Sequence, residues 1–356
     1  MRRLLLIVAL LCTSVACSQH PTAPSAEFDR VSAVGSASAE DDAAPVVLRS
    51  LTGRATDVFT GAGAAGVAIR VAGVADLAAD ANGSFALESE APDGRYRVTV
   101  SGANVVERQT SLAFPGGTAL LSLIPTSFNL RAFDEMVRQF GDVGVLKRWT
   151  QAPALVIETS LLDRDASIDA SGIPHDTIVA SADQQSEVAI NEIVGQLTRA
   201  LPLLTGGQIA AFSRVSRQTT AAGEAVPFDT ASNAITVVRY PGTGTCRGFT
   251  SIAYAEDYSV VAARMLLQVC TGALVGAVVS HELGHALGFG HVTGTPSVMT
   301  ATVVGDVTEF DRQAATIAYV RPPGNRAPDA DPDTFTVNQS RRGSASGRVR
   351  IVSLVP

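Results

Sequence analysis

Three of the five histidines in the chain lie within one short segment, His281-Glu282-Leu-Gly-His285-Ala-Leu-Gly288-Phe-Gly-His291. If the first two lie on a helix, their spacing puts both imidazoles on one face, about 6 Å apart along the axis. Three neutral imidazoles around one ion leave a fourth tetrahedral position open for water, which is typical of catalytic zinc. Glu282, next to the first ligand, is well placed to take a proton from that water.

The third histidine cannot reach the same ion from the next turn of a straight helix. Gly288 solves this problem, because glycine can take the positive φ that ends a helix and turns the chain back toward it. The pattern therefore predicts one catalytic Zn²⁺ bound by His281, His285 and His291, with Glu282 as the general base and Gly288 at the turn that ends the helix.

The elements that would position these residues follow from the apolar patterning. Gly272–Ala286 predicts a buried helix, and Ala182–Leu201 has apolar residues at largely helical spacing with acids toward its start. We predict strands at Ala154–Glu158, Ile209–Phe212, Ile235–Arg239, Ser251–Glu256 and Val260–Val269. The predicted order is a strand, a long helix, four strands and a second long helix.

An all-β module precedes this region, from Val46 to about Pro125. Short apolar stretches alternate there with turn residues such as Asp80-Ala-Asn82-Gly83 and Pro92-Asp93-Gly94. Together with the strand that follows Gly94, these turns resemble the carboxypeptidase regulatory-like family of transthyretin-like β-sandwiches. That resemblance implies a fold and no activity, so a spacer or packing role and a carbohydrate-binding or protein-binding role both stay open.

Met299 follows the third histidine by eight residues, in Ser297-Val-Met299. The complete HExxHxxGxxH motif with this methionine resembles the metzincin clan of zinc endopeptidases, and its matrixin-like branch in particular. The resemblance implies an α+β fold, with a mixed twisted sheet and two long helices behind the N-terminal β-sandwich. It also implies a protein or peptide substrate, Met299 in a turn beneath the metal, and Ser251–Glu256 as the edge strand to which an extended peptide adds.

The sequence also departs from that family. Thr300 and Ala301 follow Met299 where matrixins carry Tyr and Pro. The resemblance therefore assigns no tyrosine that would stabilise the transition state. Outside the motif only His20 and His175 remain, too few for the second, structural zinc of matrixins, and we expect His175 to lie in a solvated loop. The cysteine-switch segment of latent matrixins is absent from the sequence.

Two other functions compete with an endopeptidase. One is a cell-surface binding lipoprotein whose metal site is not catalytic. The other is an intramembrane metalloprotease, which would need several apolar spans of about 20 residues. The apolar stretch Met265–Ser280 is short and stands alone, so the sequence disfavours the second alternative.

Composition limits the class of protein further. The chain has 356 residues, 46% of them hydrophobic, a net charge of −7 and a mean hydropathy of +0.22. It should form about two folded domains. Because no basic stripe with interleaved aromatics accompanies the acidic balance, we expect no nucleic-acid partner.

The N-terminus has the features of an export signal. Arg2 and Arg3 precede the apolar run Leu4–Leu11, and small residues follow up to Ala16. Ser14-Val-Ala-Cys17 resembles the lipobox of bacterial lipoproteins, which implies lipidation of Cys17 and a membrane anchor in the bacterial cell envelope. Cleavage by the ordinary signal peptidase, giving a soluble secreted or periplasmic protein, is the alternative.

Export also bears on the remaining cysteines. If Cys12 is discarded and Cys17 is lipidated, Cys246 and Cys270 remain as a pair for a disulfide in an oxidising compartment, and two buried free thiols are the alternative.

Five aspartates between 163 and 183 form a solvated acidic loop or supply calcium ligands. The predicted segments are a signal peptide (1–16), a tether (17–45), the β-sandwich (46–125), the peptidase domain (126–321) and a mostly disordered tail with one possible terminal strand (322–356).

Overall fold

The computed structural model describes residues 47–139, 144–169, 172–242, 246–270, 275–302, 305–332 and 349–354. The fold contains both helices and strands, in agreement with the predicted α+β class, and its first seven elements are all strands. The predicted signal peptide and tether, including Cys17, lie outside the described residues. Within these ranges, none of the helices has both the length and the apolar character that crossing a membrane requires.

Two sheets of short strands form the module near the start of the described chain. The strands are β1 (Arg49–Asp57), β2 (Ala68–Val71), β3 (Ala75–Ala78), β4 (Ser84–Ser89), β5 (Gly94–Gly102), β6 (Val105–Phe114) and β7 (Thr118–Leu123). One sheet has the order β4-β1-β7 and the other β3-β2-β5-β6. Leu51, Ile69, Phe85, Val98 and Leu121 are buried in one apolar cluster between them.

A larger sheet carries the second half of the fold. Its strands are β8 (Ala154–Leu162), β9 (Ala180–Gln184), β10 (Val215–Gln218), β11 (Ala234–Tyr240), β12 (Gly248–Tyr254), β13 (Val260–Gln268) and β14 (Arg350–Leu354). Their order is β10-β8-β11-β13-β12-β14, and β9 pairs with β8. The neighbours from β10 to β13 are parallel, whereas β12 is antiparallel to β13 and β14 is antiparallel to β12. The strand predicted as a free edge, β12, is therefore paired on both sides.

The helices are α1 (Leu130–Phe133), which continues as a π turn to Arg138, α2 (Arg164–Ser167), α3 (Glu187–Leu203), α4 (Val275–Ala286) and α5 (Glu309–Val320). Helix α3 is amphipathic and buries Ile190, Ile193 and Leu197. Helix α4 is buried at every position from Ala277 to Ala286. An interior helix of this kind is apolar on all sides, which is why its sequence shows a continuous apolar run before the first histidine.

Two predicted elements differ from the structure. The helix predicted to start at Ala182 starts at Glu187, because Ser186 caps its N-terminus and the preceding residues pair with β8 as β9. The strand predicted at Ile209–Phe212 is coil, and the strand beside β8 is β10. Ile209 is buried in the apolar core, so its burial, and not strand pairing, accounts for the apolar residue that suggested a strand.

The predicted disulfide between Cys246 and Cys270 is present. It joins the residues just before β12 to those just after β13, at a Cα–Cα distance of 5.4 Å. On the chain-entropy model, closing a loop of about 25 residues stabilises the fold by about 3–4 kcal/mol. The bridge therefore holds together the two strands on which α4 packs.

A buried cluster of charged side chains connects the β-sandwich to the segment after α5. Arg321 forms two hydrogen bonds with the carboxylate of Asp329, both at 2.8 Å, and Arg108 of β6 reaches Asp329 and Asp331. Residues 322–332, predicted as part of a mostly disordered tail, are thus packed, and the predicted boundary at Arg321 falls inside the cluster. Burial alone would raise the pKa of Asp329, but Arg321, Arg108 and Arg138 outweigh it and lower that pKa.

We predict that Asp329→Asn lowers the free energy of unfolding by about 3–5 kcal/mol, because it leaves the buried guanidinium of Arg321 without its counter-charge. Urea denaturation measures this loss. Since the folded-state pKa is lowered, the carboxylate stabilises the fold above the ordinary aspartate pKa of about 3.9, and its contribution is lost as the pH falls through the lowered value. Asp76→Asn is the control, because Asp76 pairs with Arg70 at an exposed site worth less than about 1 kcal/mol. Equal losses for both variants would contradict the prediction.

Candidate metal centre

The three histidines of the motif converge on one point. The Nε2 atoms of His281 and His285 are 3.0 Å apart, and those of His285 and His291, and of His291 and His281, are 3.2 Å and 3.3 Å apart. Three nitrogens at tetrahedral angles, each about 2.0–2.1 Å from a zinc ion, would be about 3.3 Å from one another. The spacing of the ligand atoms therefore fits zinc. Among the described residues, this is the one group of three or more potential ligand side chains close enough to share an ion.

Backbone carbonyls orient two of the rings. The Nδ1 of His281 lies 2.7 Å from the carbonyl oxygen of Val298, and the Nδ1 of His285 lies 2.7 Å from that of Phe289. A carbonyl can only accept, so Nδ1 carries the proton and Nε2 keeps a lone pair. This arrangement is usual around histidine ligands of metals, where the second ring nitrogen donates to a fixed partner.

The surroundings keep the three rings neutral. Burial lowers the pKa of His281 to about 4 and lowers the pKa of His285 well below its ordinary value. Burial also lowers the pKa of His291, which is half-buried at the edge of the group. Near neutral pH all three imidazoles therefore have an unprotonated nitrogen, as metal binding requires.

Gly288 allows the third histidine to join the first two. It has a φ of +103°, and a Cβ at this position would lie 2.4 Å from the carbonyl oxygen of Lys147. Both the backbone conformation and the close approach exclude larger residues. The backbone N–H of Phe289 then donates to the carbonyl of Gly284 at 3.0 Å, which ends α4 and directs the chain back toward His281.

Glu282 lies under strand β12, where it is almost completely buried. The hydroxyl of Thr250 donates a hydrogen bond of 2.6 Å to Oε2 of Glu282. Burial raises the pKa of Glu282 to about 8, and the bond from Thr250 acts in the opposite direction. The sequence around Glu282 does not point to Thr250, because Thr250 lies on strand β12, 32 residues earlier in the chain.

Met299 is fully buried in the turn that follows the motif. A Cβ on Gly284 would lie 2.3 Å from the sulfur of Met299, so the missing side chain of Gly284 makes room for it. Asp311 of α5 fixes this turn: it accepts hydrogen bonds from the Ser297 hydroxyl and, at 2.9 Å, from the backbone N–H of Val298. Since the carbonyl of Val298 orients His281, Asp311 supports a ligand from a distance. Sequence analysis missed it.

The remaining candidate residues lie apart from this group. His175 is exposed, and its Nδ1 is 3.2 Å from the carbonyl oxygen of Ala166. The hydroxyl of Thr300, the residue after Met299, donates to the carbonyls of Ser297 and Thr302. Of the predicted acidic loop, Asp163 caps the short helix α2.

Comparison with protein families finds the matrixin peptidase model at residues 211–326. The matched range begins before β10, contains the whole histidine motif and the Met299 turn, and ends beyond α5. It covers less than half of the chain. The match supports a metzincin-like domain and a zinc metallopeptidase of this class, in agreement with the resemblance carried by the motif. No curated protein matches the chain.

Several solved structures are similar to parts of the chain. A mutant type II cohesin–X-dockerin complex from Acetivibrio cellulolyticus is 20% identical over 21% of this chain and 51% of its own, with a TM-score of 0.17. The 5-hydroxyisourate hydrolase of Klebsiella pneumoniae is 24% identical over 20% of this chain and 84% of its own, with a TM-score of 0.16. A DUF3823 family protein from Parabacteroides merdae is 17% identical over 28% and 55%, with a TM-score of 0.19. The chain thus spans about half the length of the first and third, and we base no conclusion on TM-scores this low.

We predict that His291→Ala abolishes stoichiometric zinc binding while the chain stays folded, because His291 is the least buried of the three ligands. The loss of affinity should exceed the roughly 10–100-fold that removing a second-shell partner costs. Zinc bound per chain after dialysis measures it. His175→Ala is the matched control and should retain one zinc per chain. Full zinc content in the His291 variant would exclude the triad as the binding site.

Proposed function

We propose that this protein is a zinc-dependent endopeptidase that hydrolyses peptide bonds in protein or peptide substrates. The observation that carries the proposal is the convergence of three imidazole nitrogens, two of them oriented by backbone carbonyls, on a point beside the helix that also carries the buried Glu282. A structural zinc site is usually closed by four protein ligands, whereas three ligands leave a position for water or substrate. The matrixin match over this part of the chain supports the same class of activity.

In this mechanism the nitrogens of His281, His285 and His291 hold the ion. When bound, zinc supplies Lewis-acid polarisation of the peptide carbonyl and a water of lowered pKa. Burial raises the pKa of Glu282, but the charge of a bound cation would favour its ionised form. In that form Glu282 would accept the proton of the attacking water and donate it to the leaving amine. Thr250 holds Oε2 of Glu282 by its hydrogen bond, which leaves Oε1 for the proton transfer.

Packing of the surrounding elements keeps these groups in place. Helix α4 packs against β12, β13 and α3, so Glu282 and the first two ligands cannot move independently of the sheet. Met299 forms an apolar floor beneath the imidazoles. Such rigidity suits catalysis, because preorganised groups need no reorganisation during the reaction.

We predict that Glu282→Gln lowers the rate of peptide hydrolysis by about 10²–10⁴-fold, the usual contribution of general acid–base catalysis. Glutamine keeps the size of the side chain and can still accept the hydrogen bond from Thr250, so zinc content should stay near one per chain. The assay is cleavage of an unstructured protein by the full chain, with and without a chelator. Glu224→Gln, at an exposed position, is the matched control.

Three outcomes of this experiment separate the functions. Chelator-sensitive cleavage that Glu282→Gln abolishes supports the peptidase. One zinc per chain without cleavage by the wild type supports instead a binding protein with a non-catalytic metal site. Cleavage that persists in the Glu282 variant, or in the presence of the chelator, contradicts the mechanism.

We further propose that the protein acts outside the cytoplasm, anchored to the membrane by a lipid on Cys17. The charged start, apolar run and lipobox-like Ser14-Val-Ala-Cys17 support this location. A disulfide between Cys246 and Cys270 fits an oxidising compartment.

We predict that Cys17→Ala moves the protein from the membrane fraction to the soluble fraction, because no acyl chain can then be attached. Fractionation followed by immunodetection measures the change. Cys270→Ala leaves Cys17 in place and should leave the protein with the membranes. A Cys17 variant that stays with the membranes would count against lipidation, and a wild type already in the soluble fraction would favour ordinary signal cleavage.

A further inference from the structure

Strand β14 occupies the side of β12 that a peptide substrate would need. The two strands are antiparallel, with Tyr254 opposite Arg350 at one end and Thr250 opposite Leu354 at the other. Strand β13 pairs with the opposite side of β12. A further strand therefore cannot pair with β12 unless β14 leaves.

This side of β12 is next to the candidate catalytic group. Thr250, which pairs with Leu354, donates its hydroxyl to Glu282. Neighbouring strands are about 4.8 Å apart, so the backbone of β14 passes one strand spacing from the residue that holds the general base. Extended peptides that add to a sheet edge gain affinity from main-chain hydrogen bonds, and β14 already uses the pairing positions of residues 250–254.

A cavity on the other face of the sheet receives one side chain of β14. It has a volume of about 440 Å³ and lies between Phe249, Leu266, Phe228 and Pro174, with Ile351 along its wall. Ile351 is opposite Ala253 in the strand register. Arg264, Asp176, His175 and Ser251 also line the cavity, so a side chain at this position of a strand bound to β12 would meet both apolar and polar groups.

The contact has the features of a reversible one. Ile351 keeps 57% of its surface exposed, and a short strand held by one neighbour is marginally stable. Its covalent connection to the rest of the chain compensates, since tethered segments act at an effective concentration on the order of millimolar. A substrate at a lower concentration must compete with this tethered strand for the side of β12.

We infer that residues 350–354 are an internal competitor for the peptide-binding edge and restrain the peptidase until they are displaced. This inference rests on the proposed function.

The test is the double substitution Ile351→Pro/Val352→Pro in the full zinc-loaded chain. Successive backbone N–H groups point to opposite sides of a strand, so one of the two prolines removes a donor that faces β12. The control is Ser346→Pro/Gly347→Pro, which lies before the paired residues. We expect the first variant to lower KM for an extended peptide substrate at least about tenfold, as release from a millimolar competitor allows, with kcat unchanged. The control should match the wild type.

A second measurement needs no catalysis. In a Glu282→Gln background, a fluorescent peptide with the sequence of residues 349–354 should bind the Ile351→Pro/Val352→Pro chain at least about tenfold more tightly than the unsubstituted one. If that gain occurs while no chain hydrolyses peptides, the edge competition stands and the proposed function fails. If zinc-dependent hydrolysis is present but neither KM nor peptide affinity changes, the inference is overturned and the proposed function stands.

Discussion

Each imidazole of the triad has to present an unprotonated Nε2 at a fixed position, and most of the catalytic half of the fold serves that requirement. Two carbonyls, those of Val298 and Phe289, set the tautomers. The carbonyl of Phe289 is available because α4 ends at Gly288, and that of Val298 because Asp311 holds its turn. Burial of α4 then keeps the rings neutral. A substitution at any of these supporting positions would therefore change the metal site without touching a ligand.

The same burial creates a cost that the rest of the chain offsets by pairing. Polar groups that leave water must find partners, and this fold places its charged residues in connected groups. Asp311 joins the Met299 turn to α5, and Thr250 joins β12 to Glu282. Asp329 and Arg321 tie the β-sandwich to the segment after α5. The two halves of the described chain are thus linked by buried ion pairs between side chains as well as by apolar contacts.

Local signals explain what the sequence could predict. The histidine spacing, Gly288 and the apolar run of α4 lie within twenty residues of one another, and the buried parallel strands β8, β11 and β13 are predominantly apolar. Strands β1 and β6 of the β-module carry a weaker apolar signal, because polar residues occupy most of their exposed positions. Thr250, Asp311 and Asp329 act through partners distant in sequence or in other elements, and local spacing contains no information about those partners. The pairing of β14 with β12 is a further contact between partners that are distant in sequence.

That pairing also has a reason that does not depend on catalysis. An unpaired edge strand exposes N–H and C=O groups that recruit other chains, and proteins commonly cover such edges. Under the proposed function the edge could not be covered permanently, because a peptide substrate would have to pair there. The proposed displaceable strand, with its half-exposed Ile351, would resolve the conflict: its tether would hold it strongly enough to exclude other chains, and a better partner could still displace it. Protection of the edge and restraint of activity are then two consequences of one contact.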